Sequence, residues 1–188
     1  MCRPAWPRTR AEVRLEAARL LGDDGRPMLE ELAADGSIDD AVSARAIEHL
    51  APHVRPELAR RVLEEARDTR RQFTAVAAAR ALAAAGSSAD VAALLAALQD
   101  EDHALRTAAA EALGAVGTTD AVLALKAVEV WSSDRLQKAA REAIARIQER
   151  QVGARPGQLA LATGPEGQVA LTEDERGRVA LPDDRKPV

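Results

Sequence analysis

The chain has 188 residues, 47% of them apolar, 30% charged and only 2% aromatic, with a formal net charge of −4. Alanine and leucine must supply most of any core, which suits closely packed helices and disfavours sheet cores that draw on β-branched and aromatic side chains. The acidic balance argues against nucleic acid as a general partner, because neutralising phosphates needs the opposite sign, and the single cysteine, Cys2, rules out an internal disulfide or a cysteine zinc cluster.

The first eight residues, Met1 to Arg8, lack the apolar stretch of a secretory signal, and no run approaches the roughly 18 apolar residues of a membrane span. A soluble, cytoplasmic protein is expected. Trp6, between Pro4 and Pro7, precedes the first helix and would either staple the end of the fold or protrude. From Thr9 a motif begins that recurs five times: an apolar or Thr residue at position 1, Ala at 5, Leu or Ile at 9, Gly or Ala at 10. The copies start at Val13, Val42, Thr74, Leu105 and Leu136. Their alanines are Ala17, Ala46, Ala78, Ala109 and Ala140, and their ninth positions are Leu21, Leu50, Leu82, Leu113 and Ile144, spaced by 29, 32, 31 and 31 residues. Positions i, i+4 and i+8 form one stripe of a helix. A charged column two residues before the ninth position (Arg19, Glu48, Arg80, Glu111, Glu142) lies on a different face.

A second apolar helix is predicted after each of the first four copies, over roughly 27–35, 56–67, 90–99 and 120–131. Thr9 with Glu12, Ser37 with Asp40, and Ser87 with Asp90 have the spacing of helix-start capping boxes. Pro27 and Pro56 fit first turns, and Gly25, Gly36, Gly86 and Gly117 punctuate helix ends. Each unit reads as motif helix, tight turn, second helix, linker. Such a unit buries its apolar face only by stacking. The predicted domain spans residues 9–150, as four helix pairs plus a terminal motif helix. That last helix would leave Leu136, Ala140, Ile144 and Ile147 uncovered, and Trp131 is expected to pack against it.

From Gly157 the texture changes to a ten-residue period. Leu159-Ala160-Leu161, Val169-Ala170-Leu171 and Val179-Ala180-Leu181 place two large apolar residues two apart, which is strand periodicity. Residues 151–188 are read as a β-meander capping the uncovered helix, as a flexible tail rich in charge, Gly and Pro, or as strands that add to a partner's sheet edge.

The stretch Asp100 to Gly117, with Leu105-Arg106-Thr107-Ala108-Ala109-Ala110-Glu111-Ala112-Leu113-Gly114, resembles the short HEAT repeat in the form also found in phycobilisome-lyase-like proteins. The copy Val13 to Gly22 is nearly as close, and Ser43 and Gln137 depart from it where the pattern prefers Arg. The resemblance implies an all-α fold, an α-α superhelix built as a right-handed solenoid of helical hairpins, and a non-catalytic scaffold or regulatory adaptor that binds another protein. The alternative is a lyase-like or other accessory subunit that holds a substrate protein or chromophore. It also implies that second helices line the concave side, which nominates Glu30, Glu31, Arg60, Arg61, Glu64, Glu65, Gln99, Lys126 and Glu129 as the contact surface.

Chemistry is not written into the repeats. His49 and His53 have a chelating spacing, but Pro52 lies between them and no third ligand accompanies them, so solvated or capping roles are expected. His103 falls in a linker. The di-iron hydroxylases of the family carry repeated His-Glu pairs, and this chain has only the reversed Glu48-His49. The HEAT-like alkyl-base glycosylases need a basic, aromatic groove. Cys2 has no identifiable base. No catalytic residue, metal ligand or cofactor is assigned.

Overall fold

The computed structural model describes residues 10–85, 90–130 and 133–150, all within one compact unit, Met1–Gly153. Thr9, Trp6, Cys2, Gly86, Ser87, Trp131 and the ten-residue repeats of 151–188 lie outside the described residues, and so do the capping and packing expectations attached to them.

The described residues form nine α-helices and no strand: α1 (Arg10–Leu21), α2 (Arg26–Ala34), α3 (Asp40–Leu50), α4 (Pro56–Asp68), α5 (Gln72–Ala85), α6 (Val91–Leu98), α7 (His103–Val116), α8 (Thr119–Val130) and α9 (Asp134–Arg150). The odd-numbered helices carry the five motif copies and the even-numbered ones are the intervening helices. Local chemistry sets their starts. The Asp39 carboxylate accepts from the Ala41 N–H at 3.0 Å, and the Asp102 carboxylate from the Leu105 N–H at 2.7 Å, each satisfying one orphan donor of a first turn. Ser37 is not the cap of α3; its N–H and hydroxyl both donate to Asp35 within the preceding turn. The first turn of helix α5 is capped from another helix. Asp40 of α3 serves it from the neighbouring unit, accepting from the N–H groups of Phe73 and Thr74, both at 2.9 Å.

The phase of the pairing differs from the sequence reading. Each intervening helix packs most closely on the motif helix that follows it: α2 on α3, α4 on α5, α6 on α7 and α8 on α9. Contact between α3 and α4, α5 and α6, or α7 and α8 is far sparser. Among the described helices α1 is therefore the motif helix that lacks an intervening helix before it, while α9 at the end is paired with α8. This corrects the expected uncovered stripe, because Leu136, Ala140, Ile144 and Ile147 are all buried. Helix α9 lies on α7 and α8 with its charged residues outward.

The same offset explains the first motif copy. In copies two to five the stripe at positions 1, 5 and 9 is buried throughout, whereas Val13, Ala17 and Leu21 are exposed. Helix α1 buries Leu15 and Ala18 instead. Those two occupy the positions that Ala44 and Ile47 hold in α3, which are buried as well. The stripe at 1, 5 and 9 needs a preceding intervening helix, and none of the described helices precedes α1.

The motif helices also stack closely on one another, α3 on α5, α5 on α7 and α7 on α9, while neighbouring intervening helices barely touch. Small side chains permit this approach. A Cβ added at Gly114 of α7 would lie 2.9 Å from the Cα of Ala143 in α9.

In two copies position 2 of the motif ties the motif helix to the intervening helix before it. Arg106 donates to the Leu98 carbonyl at the end of α6, and Ser43 donates to the Leu32 carbonyl, the corresponding place in α2. Where Ser43 replaces Arg, Arg71 of the next unit reaches into the same turn and donates to the Ile38 carbonyl and to Ser43 Oγ. At the other end Arg150 donates to the carbonyls of Gly114 and Gly117, occupying the C-terminus of α7.

Candidate functional site

The charged column of the motif is exposed in all five copies: Arg19, Glu48, Arg80, Glu111 and Glu142. It marks the outward ridge of the motif-helix layer. Beside it lies a groove of about 310 Å³, lined by Ala41, Ala44, Arg45 and Glu48 of α3, Phe73, Val76 and Arg80 of α5, and Ala104 of α7. Its floor is low because α3 and α7 present alanine there. One wall is Phe73, the only phenylalanine of the chain, 66% exposed. Its backbone N–H is held by Asp40, so the wall stands on a capped and anchored turn.

The electrostatics around the groove divide into committed and free charges. Arg45 is committed, donating to Glu16 of α1 at 2.8 Å, and Glu16 also accepts from Arg19 at 3.2 Å. The hydrogen bond from Arg19, with support from Arg45, holds the Glu16 carboxyl below the ordinary glutamate range. Glu48 and Arg80 make no ion pair among the described residues and stand as one acid and one base at the groove.

The nominated surface on the intervening helices is distributed differently. Glu30 pairs with Arg55 and Glu31 with Arg14, each at 2.7 Å, Arg60 with Asp90 at 3.4 Å, and Glu129 with Arg141 at 3.0 Å. These four fasten neighbouring helices together. Arg61, Glu64, Glu65, Gln99 and Lys126 are exposed. Arg61 borders a small hollow with Arg55, Glu57 and Leu58. Gln99, just past the end of α6, lines a more polar cleft of about 360 Å³ with Arg67, Arg70, Gln72, Asp100, Glu101 and Asp102. In that cleft Arg67 donates to Asp100 at 3.1 Å. Burial works against the charged form of Asp100, but the Asp102 N–H and Arg67 outweigh it and its pKa falls below the usual aspartate value.

Asp90, at the start of α6, is almost fully buried; Arg60 meets one carboxylate oxygen, and the other has no hydrogen-bond partner among the described residues. His49 is exposed on α3, His53 is exposed in the turn after it, and His103 is exposed in the first turn of α7. Among the described residues no group of three or more His, Cys, Asp or Glu side chains could hold a metal ion, and no helix is long and apolar enough to cross a membrane.

Sequence reasoning missed Phe73 and its groove. The signal available was a lone aromatic one residue before a motif copy, off the buried stripe, at a helix start. What could not be read was that alanines from two other units meet beside it.

Stacked two-helix units tied edge to edge define a helical-repeat protein. The family described as HEAT repeats matches residues 59–145, which run from the first turn of α4 into α9. That stretch of the chain is built of HEAT repeats. A comparison with curated proteins returns no match.

Proposed function

We propose that the chain is a non-catalytic protein-interaction scaffold that receives an apolar side chain of a partner protein in the groove beside Phe73. The observation that carries this reading is the groove's composition. It has an alanine floor, one exposed aromatic wall, and one free acid and one free base at the rim, mounted on a layer that is otherwise tightly packed. Exposed aromatics anchored in a rigid surface are where binding energy concentrates, and alanine floors leave room for an inserted side chain without displacing anything. The flanking Glu48 and Arg80 would set orientation and on-rate more than affinity. HEAT repeats are commonly interaction scaffolds, which agrees with this assignment. The ion pairs on the intervening helices are structural under this reading, and the nine residues nominated there form at most a secondary contact.

The test compares proteins retained by the wild-type chain, by Phe73→Glu and by Leu123→Glu, a control on α8 whose parent residue is 60% exposed. Retained partners should be lost with Phe73→Glu and kept with Leu123→Glu, while both variants keep the wild-type circular dichroism spectrum. Equal retention by all three would refute the assignment of the groove.

A further inference from the structure

We infer, on the basis of the groove assignment above, that its occupant is an α-helix of the partner protein. That helix lies across α3, α5 and α7 and carries a basic, an acidic and a basic side chain at seven-residue spacing. The residue before each motif copy (position 0) and position 7 are two helical turns apart and share one face. On α3, α5 and α7 position 0 holds Ala41, Phe73 and Ala104, and position 7 holds Glu48, Arg80 and Glu111, all of them exposed. The helices stack in register, since Asp40 of α3 meets Phe73 and Thr74 of α5. Two rows therefore cross the three helices, one uncharged and one charged, about 10 Å apart at 1.5 Å per residue. The groove of about 310 Å³ lies between them, over Ala44 and Val76. That separation matches the roughly 10–12 Å diameter of a helix with its side chains.

The charges specify the partner. In the first and last copies position 7 is already committed: Arg19 is bound to Glu16 at 3.2 Å and Glu142 to Lys138 at 3.9 Å. In the three central copies Glu48, Arg80 and Glu111 make no ion pair among the described residues. They alternate acid, base, acid, on the same three helices that line the groove. Arg45, the remaining charge of the groove, is held by Glu16 at 2.8 Å. The complementary order on a partner is base, acid, base. Packed helices lie about 8–10 Å apart, so successive charges of the row stand close to two helical turns from one another. Residues i, i+7 and i+14 of a partner helix meet that spacing from a single face. A strand covers the distance in about three residues, which turns every second charge to its opposite face. The apolar side chain that enters beside Phe73 then comes from positions three or four residues from the central acid, the neighbours of that acid on the helix surface.

The test titrates the full chain into fluorescein-labelled, alanine-rich peptides of about 20 residues, long enough to form helix. Anisotropy is read at about 50 mM salt, where exposed charges are only partly screened. One peptide carries Lys, Glu and Lys at i, i+7 and i+14 with leucines at i+4 and i+11; the other carries Glu, Lys and Glu in the same frame. Each is made in both sequence directions, so that both orientations of the helix are sampled. The wild type should bind the Lys-Glu-Lys peptide roughly tenfold more tightly than the Glu-Lys-Glu peptide. The triple variant Glu48→Arg, Arg80→Glu, Glu111→Arg should reverse that preference with an unchanged circular dichroism spectrum. Bulk attraction does not produce a reversal, because the variant remains net acidic. A wild type that binds neither peptide by about 500 μM overturns the proposal, and so does the same preference in wild type and variant. If both peptides bind equally and Phe73→Glu abolishes both, the charge order is refuted and the groove assignment stands. If binding is indifferent to Phe73→Glu, the groove assignment fails and the proposal with it.

Discussion

Four leucines occupy the same ninth position of the motif, yet their truncation should have unequal consequences. Leu50, Leu82 and Leu113 are buried to within a few per cent, Leu82 and Leu113 completely, whereas Leu21 is 54% exposed. Replacing a buried leucine by alanine removes its transfer free energy and leaves a cavity, about 2–5 kcal/mol together. Leu82 and Leu113 belong near the upper end, because their helices are clamped on both sides by neighbouring motif helices and cannot collapse into the space. Leu50, nearer the start of the stack, belongs lower. At Leu21 roughly half the transfer term was never gained and no cavity forms, so Leu21→Ala should cost less than about 1 kcal/mol. Urea denaturation followed at 222 nm, at concentrations where the chain is monomeric, measures all four. Repeat stacks can fray from their ends, so a proton-exchange measurement of α7 amides should accompany the melts. If Leu21→Ala destabilises the chain as much as Leu113→Ala, the offset pairing and the exposure of α1 are both wrong.

Gly114→Ala should destabilise by about 1 kcal/mol. The helix-propensity gain of roughly 1 kcal/mol is outweighed by pressing a Cβ to 2.9 Å from the backbone of Ala143, an overpacking worth about 1–3 kcal/mol; a raised melting temperature would show that α7 and α9 can separate freely. Arg70, which holds φ at 57° in the turn after α4, should gain up to about 1 kcal/mol on replacement by glycine, since the left-handed region costs an L-residue about 1–2 kcal/mol and glycine returns part of that as entropy; a loss of stability would mean that the Arg70 side chain contributes more to its cleft than its backbone costs. Acid should loosen the fold below about pH 4, because Glu16, Asp35 and Asp100 all have folded pKa values lowered from their ordinary ones. Stabilisation from a lowered carboxylate is complete above its unfolded pKa and is lost as pH falls through the folded value. The urea midpoint should therefore fall between pH 5 and pH 3, and Asp100→Asn should flatten that fall; an unchanged slope would separate Asp100 from the acid response.

The helices, their period and their buried columns in the four later copies were legible from residue order alone, because these depend on local propensity and on a stripe that each helix carries within itself. The predicted intervening helices at 27–35, 56–67, 90–99 and 120–131 are observed at Arg26–Ala34, Pro56–Asp68, Val91–Leu98 and Thr119–Val130, since proline, aspartate and glycine act on their own turns. Which neighbour covers each stripe depends on how the units stack. A periodic pattern looks the same whether a unit is cut before or after the motif helix, and nothing in Val13, Ala17 and Leu21 distinguishes them from Val42, Ala46 and Leu50 except that no described helix stands before them. The structure also decided that Asp40 caps α5 and that Arg71 serves the turn beside Ser43, across 33 and 28 residues. The groove beside Phe73 is of the same kind. Its floor and wall come from three units, and residues from separate units become neighbours only when the stack closes.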